Sequence, residues 1–479
     1  MANKGISRRT VLKGIGAIGA ATVASARATA APERSSRPRN AKPADYAEQI
    51  RRRVAETILV DSHEHLNDES SRLKESALGG NNRAADWSYL FGHYLESDLI
   101  SAGMTQKVQN DFYSPKLDPA QKWRLLEPLW PAVKNTGYGQ AAAIAVRDLY
   151  GIDEVSANTV PQIAEKYRAL IKPGFYNKVL KEVARLDSCQ VNDGPFHQSD
   201  MPELLLQDIS IVAMHMGPYA RDYGASAGAV KELADWHQVI DKWFERYARY
   251  AVAAKSQAAY SRDLDYEDVK AEQAAPIFKR ILAKEPVSPE EKKRVEDHLF
   301  WYAVGKATEH DLPVKLHTGY YAGQNRMPLA RVAKNPGSVC DVVRRAPNAR
   351  FVLMHICWPF YEDMIAIAKQ YTNTYIDMVW AWIMSPVTST EFLKHYLTAA
   401  PANKILTFGG DYRPVEPVVG HAAIARQGIA RTLIELVDEG WLTTDAALEL
   451  VEPIMCGNGR RIFKLEEKKA ACRKAPWVG

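Results

Sequence analysis

Short apolar, β-branched segments alternate with longer amphipathic segments along most of the 479-residue chain. A short apolar run with polar flanks is typical of a buried strand, whereas apolar residues three and four positions apart are typical of a helix. Helices are predicted at Pro289 to Glu309, which follows the helix-capping residue Ser288, and at Val418 to Leu436. Eight strands are predicted, at residues 57–62, 186–192, 208–215, 251–257, 312–317, 350–356, 374–379 and 404–410.

Strands that alternate with helices indicate parallel pairing, because each parallel strand needs a crossover connection. Eight such units predict an α/β fold, specifically a (β/α)8 TIM barrel. The longest interval between strands, residues 66–185, follows the first strand and is rich in helical patterns, Trp and Tyr. We predict a large helical insertion there, placed to cap the barrel mouth.

The first 30 residues differ from the rest of the chain in charge. They contain five basic residues and no acidic one, which equals the formal net charge of +5. A twin-arginine pattern at Arg8 and Arg9 precedes an apolar stretch at 14–26, and small residues near 26–31 offer cleavage sites. We therefore predict a signal peptide at 1–30, recognition by the twin-arginine export machinery, and a periplasmic location.

The remaining chain carries no charge excess, since removing five from 62 basic residues leaves 57 against 57 acidic ones. No nucleic-acid partner is therefore predicted, and no later apolar window is long enough for a membrane span. Five cysteines without a C-x-x-C pair argue against a zinc ribbon or thioredoxin chemistry. Residues 31–50 are predicted to be a linker and 51–479 the barrel domain, while disulfide pairing and a homo-oligomer stay open.

Histidines and one aspartate cluster at the predicted strand ends. His63 and His65 follow the first strand on one face, His317 ends the fifth, His355 ends the sixth, and Asp411 follows the eighth. The carboxyl ends of barrel strands converge on one mouth. Because imidazoles with a carboxylate suit zinc, iron or manganese, the pattern predicts a metal site there.

Each residue alone has a simpler explanation. A single buried histidine is usually a hydrogen-bonded core residue, Asp411 is well placed to cap a helix, and Lys255 on the fourth strand equally suits a solvated edge. The other eight histidines, such as His237, His298 and His310, lie mainly in charged helical stretches and are predicted at the surface. The conjunction of four histidines at three strand ends favours the metal site.

This arrangement resembles the amidohydrolase superfamily from about Ile58 to Leu465. Segments 288–319 and 405–412, and HEHL before a helical insertion, are similar to uronate isomerases and decarboxylase-like amidohydrolases. A histidine on strand six departs from the isomerases and favours hydrolysis or decarboxylation. The family pattern is matched in order by His63, His65, Lys255, His317, His355 and Asp411.

The resemblance implies a hydrolase in which metal-activated water attacks the amide, ester or lactone carbonyl of a small molecule. The cofactor would be one or two divalent ions, zinc before iron or manganese, held by His63, His65, His317 and Asp411. Asp411 would also transfer the proton, and His355 would hold a second ion or polarise the carbonyl. Lys255, if carboxylated, would bridge two ions. Asp61 either orients an imidazole or bonds to backbone.

Three rival functions remain open: a metal-dependent decarboxylase, a uronate-isomerase-like enzyme, and a non-catalytic periplasmic binding protein. Loops after barrel strands line the pocket in this fold. Aromatic rings there suit stacking on a substrate ring, and an arginine suits a carboxylate, although ordinary loop packing explains them equally well. The candidate substrate contacts are Tyr320, Trp358, Trp380 and Arg413, with Tyr321 and Trp382 beside them.

Overall fold

The computed structural model describes residues 43–77, 83–217, 230–324 and 326–478. The predicted signal peptide and most of the predicted linker lie outside these ranges. The linker prediction is wrong for its last residues, because helix α1 (Pro43–Glu56) begins there. This helix buries Ile50 and Val54, which lie four residues apart on one face.

Parallel strands form the centre of the described chain. Only Asp208 separates β3 from β4, and these two segments make one barrel strand that pairs with β2 through its first part and with β5 through its second. The third predicted strand is therefore displaced, since residues 212–216 are helical. The strand bounds are β1 Leu59–Glu64, β2 Leu186–Val191, β3 Leu205–Gln207, β4 Ile209–Ser210, β5 Ala254–Ser256, β6 Val314–His317, β7 Phe351–Met354, β8 Thr374–Asp377 and β9 Ile405–Leu406.

Backbone hydrogen bonds close the strands into a ring. The Ser62 N–H donates to the Phe408 carbonyl at 3.1 Å, and the Asp411 N–H donates to the His63 carbonyl at 2.8 Å. The last strand therefore pairs with the first, and the ring contains eight strands when β3 and β4 count as one. The predicted (β/α)8 barrel is confirmed.

Helices surround this barrel, and several match the sequence pattern closely. The predicted helix at Pro289 to Glu309 is observed with the same bounds, and the Ser288 side chain accepts a hydrogen bond from the Glu291 N–H at its start. Seven α-helices of the described chain, α2 to α8, lie between β1 and β2. The helices after β4 are α9 Val212–Met216, α10 Leu233–Tyr247, α11 Ala271–Leu282, α12 Pro289–Glu309, α13 Leu329–Val332, α14 Asn335–Arg345, α15 Glu362–Gln370, α16 Ala381–Met384, α17 Pro386–Ala399, α18 Pro417–Asp438, α19 Thr444–Glu452, α20 Asn458–Ile462 and α21 Leu465–Cys472.

The segment between β1 and β2 is helical, as predicted. Its α-helices are α2 Glu69–Ala77, α3 Tyr94–Ser101, α4 Gln106–Phe112, α5 Pro119–Leu126, α6 Trp130–Val133, α7 Gly137–Tyr150 and α8 Val160–Leu170. A buried ion pair of 3.1 Å joins Arg72 of α2 to Glu416 in the loop after β9. The insertion is therefore tied to the loop that carries Asp411.

A polar layer fills part of the barrel interior. The Lys315 ammonium donates hydrogen bonds to both carboxylate oxygens of Asp208, at 2.9 and 3.0 Å, and to the Ser62 carbonyl at 2.8 Å. All three residues are buried, so this pairing offsets much of the cost of removing the charges from water. Within the described ranges, no helix is long and apolar enough to cross a membrane.

Candidate metal centre

Several residues at the barrel mouth have a left-handed backbone. The φ angle is 64° at His355, 66° at Trp380 and 60° at Asp411, and none of these is glycine. Such a conformation costs on the order of 1–3 kcal/mol per residue and persists where surrounding contacts fix it, most often at functional sites. In each case the backbone turns sharply just after a barrel strand.

His63, His65 and Asp411 form a compact group at the mouth. Asp411 Oδ1 lies 3.4 Å from His63 Nε2 and 3.3 Å from His65 Nε2. Among the described residues, this is the one group of three or more His, Cys, Asp or Glu side chains whose ligand atoms all lie within 4.8 Å of one another. Two imidazoles and one carboxylate are a donor set that suits a divalent transition metal.

The protonation states in this group suit metal binding. Burial lowers the pKa of His63 well below its ordinary value, so this imidazole is neutral. Burial alone raises the pKa of Asp411, but the hydrogen bond from His65 and the nearby imidazoles hold it well below its usual range. His65 Nδ1 lies 3.2 Å from the Asn192 carbonyl, which only accepts, so Nδ1 carries a proton and Nε2 is the nitrogen that faces Asp411 Oδ1.

His317 and His355 form a second pair, with ring centroids 4.3 Å apart. The proton of His317 lies on Nε2, which donates to the Tyr320 carbonyl at 2.9 Å, and that of His355 lies on Nδ1, which donates to the Val379 carbonyl at 3.2 Å. His355 Nε2 is buried, and no described residue forms a hydrogen bond with it. Burial lowers the pKa of His355 to about 3, so this nitrogen is an acceptor at neutral pH. The role of His317 as a metal ligand stays a prediction.

Lys255 lies on β5, as predicted, and its side chain is buried inside the barrel. Its ammonium nitrogen contacts the Met354 sulfur, and no acidic partner lies within ion-pair distance in the described part of the chain. Burial lowers the pKa of Lys255 to about 7, although the negative charge of Asp411 opposes this shift. A lysine that loses its proton near neutral pH is competent for carboxylation, which stays a prediction.

Asp61 bonds to backbone rather than to an imidazole. Its Oδ1 accepts hydrogen bonds from the N–H groups of His63 at 3.0 Å and Gly410 at 3.2 Å, so the orienting role considered for it is wrong. Its carboxyl group also contacts that of Glu64, whose Oε2 accepts from the Tyr412 N–H at 2.5 Å. Burial raises the pKa of Asp61 to about 6 and that of Glu64 well above its ordinary value.

The insertion supplies residues that the sequence patterns did not single out. The Tyr94 hydroxyl faces the Asp411 carboxylate, and burial together with that nearby charge raises the pKa of Tyr94 well above its ordinary value, so the phenol keeps its proton. Its ring stacks on Trp380 at 4.6 Å and on Tyr138 at 5.3 Å. No local motif marks Tyr94, because its partner is more than 300 residues away. Tyr260, 4.6 Å from the His317 ring, could have been found from its place after β5.

The candidate substrate contacts divide into two groups. The Tyr320 ring lies 5.1 Å from Trp358 and 5.8 Å from Trp380, next to the two histidine pairs. Arg413 is exposed, and no ion pair involves it among the described residues. Tyr321 and Trp382 instead pack structurally. The Tyr321 hydroxyl donates to the Ala259 carbonyl, and Trp382 Nε1 donates to the Thr407 carbonyl.

The prediction that the remaining histidines lie at the surface is wrong for several of them. His237 and His298 are half-buried and their Nε2 atoms are 3.0 Å apart. His215 and His421 are fully buried. His421 Nδ1 lies 3.3 Å from the carbonyl of Gly410, directly under the Asp411 segment.

Comparison with known proteins places this geometry in context. Protein fluG of Emericella nidulans is 25% identical over 229 residues, which are 45% of this chain and 26% of that protein. The chain thus spans about a quarter of the length of this relative.

Solved structures resemble the whole barrel with its insertion. Uronate isomerase from Thermotoga maritima has a TM-score of 0.70 at 16% identity, covering 87% of this chain and 97% of its own. Glucuronate isomerase from Caulobacter crescentus gives 0.71 at 14%, covering 90% and 96%. A presumed metal-dependent hydrolase from Lactobacillus casei gives 0.61 at 15%, covering 88% and 98%. At these identities the likeness is one of fold.

The family model described as Amidohydrolase matches residues 215–465, which is more than half of the chain and includes His317, His355 and Asp411. The protein belongs to the amidohydrolase family.

Proposed function

We propose that this protein is a metal-dependent hydrolase that cleaves an amide, ester or lactone bond of a small molecule. The observation that carries the proposal is the convergence of His63 Nε2 and His65 Nε2 on Asp411 Oδ1, with the unpartnered His355 Nε2 nearby. This geometry supports a metal-dependent hydrolytic site, because such a site needs groups that hold an ion, a proton acceptor and polar groups that face one buried point.

The donor set fits a divalent ion, with zinc preferred and iron or manganese as alternatives. His63, His65 and Asp411 would hold it, and His317 would complete the set. Such an ion, when bound, lowers the pKa of a water ligand from 15.7 towards about 7 and polarises a carbonyl oxygen. His63 and Asp411 are in their metal-binding protonation states, because the pKa of each lies well below its ordinary value.

Asp411 is the proposed proton carrier. It is ionised, buried and in contact with the Tyr94 hydroxyl, so a proton that reaches it stays shielded from bulk water. Its carboxylate can accept the proton of the attacking water and deliver it to the leaving group. The protonated Tyr94 phenol is a hydrogen-bond donor at the same point and would stabilise negative charge on the substrate oxygen.

His355 takes a narrower role than the sequence pattern allowed. Because its Nδ1 proton is committed to the Val379 carbonyl, Nε2 is an acceptor and gives no hydrogen bond to a carbonyl oxygen. This supports the alternative in which His355 ligates an ion or accepts a proton. Lys255, with its lowered pKa, would join it if two ions bind.

Sugar-acid isomerisation is the second candidate. The fold similarity to two uronate-type isomerases is consistent with it. The ionised Asp411 carboxylate and the protonated Tyr94 phenol also favour it, because isomerisation needs a base that takes a proton from one substrate carbon and an acid that supplies one to the neighbouring position. Decarboxylation uses the same metal site without a hydrolytic water.

An assay of the metal-loaded protein in ¹⁸O-labelled water distinguishes these reactions. The substrates tested are lactones, amides, esters, uronates and aromatic carboxylates. Hydrolysis places one ¹⁸O in the carboxylate product, isomerisation yields an isomer without that label, and decarboxylation releases carbon dioxide. The matched control is His63→Ala with His65→Ala. An unlabelled isomer or carbon dioxide as the sole product would contradict the hydrolase proposal.

We also propose export to the periplasm by the twin-arginine machinery. The support is the Arg8-Arg9 pattern, the apolar stretch and the small residues that follow. Arg8→Lys with Arg9→Lys should leave the protein in the cytoplasmic fraction, whereas the unchanged chain should appear in the periplasm. Export of the double variant at the normal level would contradict this proposal.

A further inference from the structure

The segment that carries Asp411 is hydrogen-bonded to strand β1, which carries His63, and to His65, which directly follows that strand. The His65 N–H donates a hydrogen bond to the Tyr412 carbonyl of this segment at 3.0 Å. Three consecutive amide groups of the segment donate to β1: Gly410 N–H to Asp61 Oδ1 at 3.2 Å, Asp411 N–H to the His63 carbonyl at 2.8 Å, and Tyr412 N–H to Glu64 Oε2 at 2.5 Å.

Two of these three bonds are accepted by side chains, those of Asp61 and Glu64. Asp61 Oδ1 serves two amides, one on its own strand and one at Gly410, so a single oxygen joins the two ligand-bearing segments. Glu64 lies on the other side of Asp411 and holds the next amide. Asp411 is therefore held through the N–H groups of both neighbouring residues, and we call these two side-chain hydrogen bonds the clamp.

The close approach depends on two glycines. A Cβ at Gly409 would lie 2.6 Å from Ser62 Oγ, and a Cβ at Gly410 would overlap the Glu64 carboxylate. Asp411 itself has a φ of 60°, a conformation that costs free energy and needs external contacts to persist. The clamp supplies those contacts.

We propose that Glu64, together with Asp61, is a positioning residue that fixes Asp411 opposite His63 and His65, so that the three ligand groups are in place before an ion binds. The proposal rests on the proposed function in taking these three groups as ligands. Neither carboxyl group is one of the three ligands. Each acts through the N–H group of a residue next to Asp411, Gly410 for Asp61 and Tyr412 for Glu64.

Zinc affinity of the folded protein tests this directly. Glu64→Ala and Glu64→Asp should weaken zinc binding by roughly 10–100-fold, the range for groups that orient metal ligands. Glu64→Asp keeps the carboxyl group and shortens its reach, so it tests the position of that group if the alanine variant does not fold. Glu64→Gln should bind zinc nearly as tightly as the unchanged protein, because an amide oxygen still accepts from Tyr412 and the amide NH₂ donates to Asp61.

Asp297→Ala is the matched control, since Asp297 is also a buried carboxylate that accepts a loop amide, that of Glu267 at 3.0 Å. It should lower the unfolding temperature without changing zinc affinity. A folded Glu64→Asp variant with unchanged affinity would overturn the positioning role. Absence of zinc binding by the unchanged protein would overturn the proposed function and this inference together, whereas zinc binding without hydrolysis would overturn only the reaction.

Discussion

The two halves of the barrel mouth present histidines in different electrostatic settings. On one half, His63 and His65 face the ionised carboxylate of Asp411. On the other, His317 and His355 face each other, and their protons are committed to backbone carbonyls. A cation placed in the first half meets a negative charge, whereas in the second half it meets neutral lone pairs and Lys255.

From this difference we infer that the two pairs of histidines, His63 with His65 and His317 with His355, have different roles. The first half has the charge and the clamp that a tightly held ion requires. The second half has acceptors, but among the described residues no carboxylate lies within ion-pair distance of either imidazole, and Asp411 acts on them only from farther away. It therefore suits a weaker second ion or a proton in transit. Residue type alone does not distinguish the halves, because imidazole is common to both.

The largest expected effect follows from removing the first half. His63→Ala with His65→Ala should abolish stoichiometric zinc binding and all turnover, since only Asp411 would remain of the group. The barrel should still unfold cooperatively, because ligands at strand ends contribute little to the apolar core. Metal analysis and thermal unfolding measure the two outcomes.

The control for that variant is His310→Ala, which removes a half-buried histidine that packs near Phe244 away from the mouth. It should retain zinc in full. Full zinc occupancy in the double variant would show that the metal site lies elsewhere.

Asp411→Asn should have the next largest effect. The amide keeps an oxygen near the two histidines, so part of the zinc affinity should remain, but the proton acceptor is lost. Turnover should fall by roughly 10²–10⁴-fold, the usual contribution of a positioned acid–base group. A rate close to that of the unchanged enzyme would remove Asp411 from proton transfer.

His355→Ala addresses the second half and should have a smaller effect. Zinc bound by the first half should be retained, while turnover falls by about 10–100-fold because a supporting group is lost. Equilibrium dialysis counts the ions bound. If His355→Ala lost all zinc while His63→Ala with His65→Ala kept it, the assignment of the two halves would be reversed.

The smallest effect concerns a contact next to the first half. Asp68 Oδ2 lies 2.7 Å from His197 Nε2 and joins the loop after β1 to the loop after β2. The hydrogen bond to Asp68 raises the pKa of His197. A raised folded-state pKa means that the contact stabilises fully below the unfolded value near 6.5 and is lost as pH rises through the folded value.

Comparing the unchanged protein with His197→Gln by chemical denaturation from pH 5 to 9 measures this contribution. The difference in free energy of unfolding should be greatest at the acidic end and should shrink as pH rises. A difference that grows with pH would have the wrong sign for a histidine stabilised in its charged form.

The features of this protein that could be predicted are those that depend on residues close together in the sequence. Helix α12 has its capping serine, proline and amphipathic run in one segment, so its bounds follow from the sequence. His317 and Asp411 follow recognisable apolar strands, and barrel topology then brings their ends together. Strand β9 is only two residues long, but the apolar residues that continue to Phe408 reveal it.

Other features depend on distant partners and leave no local pattern. Tyr94 reaches Asp411 only because the insertion folds over the mouth, and Glu64 is one acidic residue among many until Gly410 packs against it. The third strand was misplaced because a short apolar run does not distinguish a strand from the buried helix that begins at Val212.

The central claim is that His63, His65 and Asp411 hold the ion. Diffraction from crystals of the zinc-loaded protein, collected on both sides of the zinc absorption edge, tests it most directly. We expect one strong anomalous peak at about 2.0–2.2 Å from His63 Nε2, His65 Nε2 and an Asp411 carboxylate oxygen. A fully zinc-loaded crystal without a peak at that position would contradict the account.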